Sequence, residues 1–317
     1  MYSPLLVLLA LLPGGVSIRG QATFEPTAAE ADVPDRFRLV RATFTFELVQ
    51  LRETPRYRVW ALRFPSPIAT RDEANNTVHA EYFEPVRATD APKAPGVVVL
   101  HILGADFALS RYLAARLADQ GVAALFMKLP YYGERRVPGR RGLTAGLQRT
   151  LAALGQGVCD VRRAAAWLGT RPEIDPERLG VTGISLGGIV SALAAAADPK
   201  INRAVLLLAG GGISDVIWNL PESAPYRAVW LATGRTKADF AELTKPYDPV
   251  TYAHRLKTKH VLMLSGNADE VIPPSASLSL WEAAGRPPIE WFDCGHYSAV
   301  GYLLPGIRKT VDFLREH

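Results

Sequence analysis

Short, continuous apolar runs alternate with helix-like segments from about residue 96 to the end of this 317-residue chain. A run of four to eight apolar residues between turn residues is typical of a strand buried on both faces of a sheet. Because a helix-like segment follows each run, the strands are predicted to be parallel, with helices on both faces. The sequence therefore predicts an α/β fold with a mostly parallel, twisted sheet. The predicted parallel strands are 96–102, 122–129, 179–182, 204–209, 260–265 and 289–293.

The residues before this region follow a different pattern. From Arg36 to Pro85 apolar and polar residues alternate between proline and asparagine breaks, which predicts antiparallel strands at one edge of the sheet. A chain of this length with 48% hydrophobic residues can bury one large core. We therefore predict a single domain, 36–317, with a helical lid at 212–255. The aromatic residues of this insertion either contact substrate or only pack it onto the sheet.

The first 22 residues are predicted to be a signal peptide. Leu5–Leu12 is an apolar run of suitable length that is too short to span a bilayer, and pairs of small residues follow it. This pattern predicts export to the periplasm or secretion, without a stable membrane span. No Lys or Arg precedes the run, so a cytoplasmic location is the alternative.

Charge and cysteine content argue against several classes of function. The net charge is +5, but the 36 Lys and Arg residues are scattered along the chain, whereas a nucleic-acid interface needs a denser basic stripe. The two cysteines, Cys159 and Cys294, have no partner at metal-ligand spacing. Neither a zinc site nor a disulfide framework is expected. No Gly-rich nucleotide-binding motif is complete, and we expect no cofactor.

The strongest chemical signal is the G-x-S-x-G motif Gly183–Gly187, with Ser185 at its centre. It follows a predicted strand and precedes an Ala-rich helix, which is the context of a nucleophile held on a sharp turn. Small residues two positions before and after the serine relieve crowding in such a turn. The sequence predicts Ser185 as a nucleophile.

Two residues downstream complete the set that a serine nucleophile needs. Asp269 lies in a turn-rich loop after the strand 260–265, and His296 follows the last predicted strand. The acid and then the base are expected in this order, each after a later strand. The prediction is therefore that His296 acts as base and Asp269 as the acid that orients it, with Glu270 as the competing carboxylate.

Backbone N–H groups are predicted to stabilise an oxyanion at this site. The first donor is Leu186, because it opens the helix after the nucleophile. The second comes from the loop after the first parallel strand, where Leu103 is preferred and Ile102 is the alternative. His101 precedes the nucleophile and is interpreted as a residue that fixes this loop.

These motifs resemble the α/β-hydrolase superfamily from about Gly96 to the C-terminus. Within it, the segments 129–136, 163–168 and 174–180 look like dienelactone-hydrolase-type and acyl-peptidase-type members, and a poorly characterised abhydrolase group shares the P-Y-Y-G-x-R-R-type loop. The chain departs from dienelactone hydrolases in having serine instead of cysteine as the candidate nucleophile. Its loop after the first parallel strand reads H-I-L-G instead of H-G-x-G.

The loop 131–136 follows the second parallel strand and is expected on the same side as the nucleophile. Tyr131 and Tyr132, or the arginines after them, are candidates for contact with an acidic or sugar-bearing substrate. A purely structural turn is the alternative interpretation.

The resemblance implies a serine hydrolase that cleaves a small carboxylic ester through an acyl-enzyme, without metal or organic cofactor. Peptidase and acyltransferase activities use the same three residues and remain alternatives. A further alternative is a hydrolase-fold protein that binds ligands without catalysis.

Overall fold

The computed structural model describes residues 8–12, 15–104, 107–137 and 146–316. In these residues there are eleven strands: β1 (Leu8–Leu12), β2 (Gly15–Phe24), β3 (Ala42–Glu53), β4 (Tyr57–Pro65), β5 (Thr77–Pro85), β6 (Ala94–Leu100), β7 (Ala123–Met127), β8 (Ile174–Ile184), β9 (Ile201–Leu207), β10 (His260–Gly266) and β11 (Ile289–Phe292). They form one mixed sheet with the order β1-β2-β3-β4-β5-β7-β6-β8-β9-β10-β11.

The predicted fold class is confirmed. The neighbours β7-β6-β8-β9-β10-β11 are all parallel, whereas β1 to β5 pair antiparallel and join the sheet through β5 and β7. Each predicted parallel strand is found. The antiparallel part begins earlier than expected, because 8–12 and 15–24 also pair in the sheet. These residues overlap the predicted signal peptide 1–22, whose removal and the export it implies stay predictions.

Helices cover the two faces of the sheet. They are α1 (Ala108–Asp119), α2 (Leu147–Gly169), α3 (Leu186–Ala197), α4 (Ile213–Asn219), α5 (Ala224–Ala232), α6 (Lys237–Thr244), α7 (Pro249–Tyr252), α8 (Pro274–Ala283) and α9 (Leu303–Glu316). The helices α1 and α9 pack on one face of the sheet, and α2, α3 and α8 pack on the other. In β6, Val97 and Val99 belong to the core on the first face, and Val98 and Leu100 belong to the core on the second, as expected for a strand buried on both sides.

The insertion at 212–255 is helical, as the sequence indicates, and consists of α4 to α7 with short 3-10 turns. Its two ends are joined by Asp248. The carboxylate of Asp248 accepts hydrogen bonds from the backbone N–H groups of Gly212, Ile213 and Val250 at 3.1, 2.8 and 3.0 Å. These hydrogen bonds therefore hold the beginning of the insertion next to its last helix. Among the described residues, none of the helices combines the length and apolar character needed to cross a membrane.

A buried ionic cluster ties the N-terminal segment to the α/β part. Arg162 of α2 is 1% exposed and contacts two carboxylates, Glu30 at 2.6 Å and Asp198 at 3.1 Å. Glu30 lies in a 3-10 turn before β3, and Asp198 follows α3. Removing one member of such a cluster leaves buried charge without compensation. Arg162 is thus predicted to matter for stability.

The variant Arg162→Met is expected to lower the free energy of unfolding by about 3–5 kcal/mol, because Glu30 and Asp198 lose their buried partner. Urea unfolding followed by circular dichroism measures the difference. The control is Arg19→Met, which removes an exposed pair with Glu47 and is expected to cost less than about 1 kcal/mol. Equal losses in the two variants would contradict the prediction.

Candidate active site

The candidate nucleophile lies on a strained turn between β8 and α3. Ser185 has φ 55° and ψ −115°, a region that non-glycine residues seldom occupy. A Cβ on Gly183 would lie 2.5 Å from the backbone of Gly187, and one on Gly187 would lie 2.7 Å from the carbonyl oxygen of Leu100. Both positions therefore require glycine, for the steric reason that the motif implies.

Hydrogen bonds link the three predicted residues in a row. The Nε2 atom of His296 lies 3.0 Å from Oγ of Ser185, and its Nδ1 atom lies 2.8 Å from Oδ2 of Asp269. Ser185 follows β8, Asp269 follows β10 and His296 follows β11. The carboxyl ends of these parallel strands share one edge of the sheet, which explains why residues distant in the chain meet here.

Backbone hydrogen bonds assign different positions to the two adjacent carboxylates. Oδ1 of Asp269 accepts from the N–H groups of Val271 and Ile272 at 2.9 and 2.6 Å. Oδ2 lies closer to Nδ1 of His296, at 2.8 Å, than Oδ1 does, at 3.1 Å. Glu270 instead accepts from the backbone N–H of His296 at 2.8 Å. This hydrogen bond lowers the pKa of Glu270. Asp269 thus contacts the imidazole, and Glu270 holds the loop that carries it.

The loop after β6 is held by the buried side chain of His101. Its Nε2 atom accepts from the N–H of Leu129 at 3.0 Å, so the proton is on Nδ1, which donates to the carbonyl of Ile102 at 2.7 Å. Burial lowers the pKa of His101 to about 4, and the ring is neutral near pH 7. Because C=O and N–H of a trans peptide point in opposite directions, the N–H of Leu103 points away from His101.

The predicted oxyanion donors lie near the candidate nucleophile. Leu103 and Ile102 line the same cavity as Ser185 and His296. The N–H of Leu186 lies in the first turn of α3, where helix N–H groups have no intrahelical partner. The preferred and alternative donors are therefore at the site, and the role of each stays a prediction.

The tyrosines of the loop 131–136 do not line this cavity. Tyr132 is 4% exposed, and its ring packs against His101 with centroids 4.6 Å apart. Burial raises the pKa of Tyr132, partly offset by a backbone hydrogen bond with Gly104. The hydroxyl of Tyr131 donates to Asp72 at 3.2 Å. Substrate contact by either tyrosine stays a prediction without a cavity contact to support it.

One arginine of the same loop, Arg135, is held in the protein interior. Arg135 is fully buried, lies 2.8 Å from Asp160 of α2 and donates to the backbone carbonyls of Lys128 and Asn75. These contacts leave no part of the Arg135 side chain exposed to a ligand. For Arg135, the structure favours the alternative of a structural turn.

A cavity of about 390 Å³ opens beside Ser185 and His296. Its walls come from the loop after β6, from the ends of β8, β9 and β10, and from the segment 297–306. Of the described residues, none from the predicted lid 212–255 lines this cavity. That insertion instead borders a separate groove of about 270 Å³, which also contains Glu270 and Ser275.

Sequence reasoning missed two features of the site. One is the contact of Glu270 with the backbone N–H of His296, which depends on how two loops meet. The other is the wall formed by 297–306. Its signal was the apolar stretch directly after His296, which includes Val300, Tyr302 and Leu303. Across the part of the chain that the structure describes, no group of three or more His, Cys, Asp or Glu residues is arranged to hold a metal ion.

Known structures share this fold. An acetyl xylan esterase from Paenibacillus sp. R4 is 18% identical, with a TM-score of 0.67 over 84% of this chain and 88% of that one. Acetyl xylan esterase 1 from Thermoanaerobacterium sp. JW/SL YS485 is 22% identical, with a TM-score of 0.62 over 84% and 87%. At these identities, the likeness is one of fold.

A curated relative has no described activity. The uncharacterized protein Rv2627c of Mycobacterium tuberculosis is 26% identical over 198 residues, which is 59% of this chain and 45% of that protein. The chain thus spans about half the length of this relative.

Family models match the central part of the chain. The prolyl oligopeptidase family matches residues 152–293, which include Ser185 and Asp269. A second model, alpha/beta hydrolase domain containing 18, matches residues 39–216. The resemblance to α/β hydrolases that the motifs indicated is therefore confirmed. Because the second match spans more than half of the chain, this protein belongs to the alpha/beta hydrolase domain containing 18 family.

Proposed function

We propose that this hydrolase-fold protein is a serine hydrolase that cleaves carboxylic esters through an acyl-enzyme. The observation that carries the proposal is the row of hydrogen bonds from Ser185 through His296 to Asp269, at 3.0 and 2.8 Å. A serine hydroxyl is a weak nucleophile by itself and needs an oriented base to remove its proton. Here Nε2 of His296 faces the hydroxyl of Ser185, and Nδ1 faces the buried carboxylate of Asp269.

The geometry supports a two-step reaction. Ser185 attacks the acyl carbon while His296 takes its proton, and the N–H groups of Leu186 and Leu103 stabilise the negative oxygen. The protonated imidazole then gives the proton to the leaving alcohol. A water molecule, deprotonated by the same ring, attacks the acyl-enzyme and releases the acid. The carboxylate of Asp269 holds the ring in the required tautomer and stabilises its positive form.

Esters are preferred over peptides as the proposed substrate. Among the described residues that line the cavity, there is no Asp, Glu, Lys or Arg, so the cavity offers no charged partner to a peptide. Two similar structures are named as acetyl xylan esterases. The match to the prolyl oligopeptidase family makes peptidase activity the second candidate, and peptide nitroanilides test it beside esters.

A fluorophosphonate probe tests the nucleophile in the unmodified protein. The folded protein is expected to gain one probe adduct, because the activated hydroxyl of Ser185 attacks phosphorus as it would an acyl carbon. Intact mass and peptide mapping by mass spectrometry locate the adduct, and nitrophenyl acetate and butyrate report hydrolysis. Heat-denatured protein serves as control and is expected to stay unlabelled. An adduct at another residue, or no adduct and no hydrolysis by folded protein, would refute the proposal.

A further inference from the structure

The cavity beside Ser185 has a buried end and an exposed end. At the inner end lie Leu264, which is 1% exposed, Leu207, which is 7% exposed, and the buried Gly306 of α9. At the outer end lie Tyr297 and Val300, which are 75% and 73% exposed. The cavity therefore connects the surface with buried residues of α9 and of the strand ends, and Ser185 and His296 are among its walls.

The walls of this cavity suit an apolar group. Leucine, isoleucine and valine side chains make up most of them, and Phe292 packs against Tyr302 with ring centroids 5.2 Å apart. Exposed apolar side chains around the opening are costly in water, and a group of them marks a site for an apolar ligand. The hydrophobic effect would favour burial of a hydrocarbon chain here over burial of a polar group.

The cavity is also too large for an acetyl group alone. Its volume of about 390 Å³ falls within the range of about 300–1,000 Å³ that is usual for ligand sites. A methyl group is similar in size to a water molecule, whose share of liquid volume is about 30 Å³. An acetyl-enzyme would leave most of the cavity to water against apolar walls, which is unfavourable.

The backbone conformation does not require glycine at position 306, but the absence of a side chain there enlarges the cavity. Gly306 lies inside α9, where glycine is destabilising relative to alanine. A Cβ at this position would meet only Cδ2 of Leu207, at 3.9 Å, which is ordinary contact. By contrast, Gly183 and Gly187 allow no side chain. The missing side chain at Gly306 leaves space between α9 and Leu207, at the inner end of the cavity.

We infer that this cavity binds the acyl part of the substrate and that the preferred acyl group is an aliphatic chain of about four to eight carbons. The inference rests on the proposed function and deepens it. The ester carbonyl lies at Ser185, and the chain extends inward past Leu207 and Leu264 to Gly306. Each buried methylene contributes about 0.8 kcal/mol, which corresponds to about a fourfold gain in kcat/KM.

The test is a series of nitrophenyl esters from acetate to octanoate. For the unmodified protein, kcat/KM is expected to rise about 10²-fold from acetate to hexanoate, since four methylenes become buried with partial efficiency. In Gly306→Leu, the new side chain occupies the inner end, so kcat/KM for hexanoate is expected to fall at least tenfold more than that for acetate. Gly306→Ala adds only a methyl group and is expected to keep the preference for the longer chain.

The control lies away from the cavity walls. Ala232 of α5 is exposed and lines neither the cavity beside Ser185 nor the groove beside the insertion. Ala232→Leu places a leucine at this surface position and is expected to leave both rates unchanged. If Gly306→Leu fails to fold, Leu109→Trp narrows the cavity from α1, at a half-buried position, and is expected to give the same selective loss on hexanoate.

Failure of the inference differs from failure of the proposed function. Acetate as the best substrate of the unmodified protein, or equal losses on acetate and hexanoate in a folded Gly306→Leu, would overturn the acyl-chain assignment while serine hydrolysis stands. Absence of both probe labelling and hydrolysis for every ester would overturn the proposed function itself.

Discussion

Ser185→Ala is expected to lower kcat for nitrophenyl butyrate about 10⁶-fold, close to the full contribution of the three linked residues. Alanine removes the oxygen that would form the acyl-enzyme, and His296 then has no group to deprotonate. The residual rate is expected to come from substrate binding and from the proposed oxyanion donors, the N–H groups of Leu186 and Leu103. Steady-state kinetics together with probe labelling measures the loss.

The control for this variant is a serine in α3, the helix that begins directly after Ser185. Ser191 is fully buried in α3, and its hydroxyl has no hydrogen-bond partner among the described residues. Ser191→Ala therefore removes the same atom without touching the site and is expected to keep kcat within about twofold of the unmodified protein. A folded Ser185→Ala with kcat within tenfold of the unmodified protein would show that another residue is the nucleophile.

Asp269→Asn is expected to lower kcat about 10⁴-fold, because it would change which ring nitrogen of His296 carries the proton. The N–H groups of Val271 and Ile272 both donate to Oδ1 of Asp269. In the variant they would select the amide oxygen for that position, so the NH₂ group would face Nδ1 of His296. A donor there forces the ring proton onto Nε2, and the ring can no longer accept the proton of Ser185.

The neighbouring carboxylate gives a sharp control for this prediction. Glu270 contacts the backbone N–H of His296, and an amide oxygen can accept that hydrogen bond equally well. Glu270→Gln is therefore expected to lower kcat less than tenfold. If Glu270→Gln lost as much activity as Asp269→Asn, with both variants folded by circular dichroism, the assignment of Asp269 as the orienting acid would be wrong.

The residues that line the cavity differ from those that the order of strands and helices along the chain predicts. The insertion 212–255 was predicted as a lid, but the described residues that line the cavity come instead from the loop after β6 and from 297–306. The reason is the path of α9, which packs with α1 and brings Leu303 and Gly306 toward the end of β9. Variants in the segment 297–306 are therefore expected to change substrate selectivity more than variants in the insertion 212–255.

The sequence by itself determined the fold class and the identity of the three linked residues. Local sequence patterns indicate the buried strands, turns and helices. The motif around Ser185 requires glycine at two positions for steric reasons. The order of Ser185, Asp269 and His296 then follows from the rule that each lies after a parallel strand. These inferences need only the chain order and residue types within a few positions.

Only the tertiary structure decided which partner each polar side chain meets. Asp269 and Glu270 are adjacent in sequence, yet backbone N–H groups from a turn direct one to the imidazole and the other to the main chain. Likewise, Arg135 and Arg162 look like surface charges until helix packing buries them against Asp160 and Glu30. Such contacts join residues far apart in the chain, and their geometry depends on the packing of whole elements, which no local pattern records.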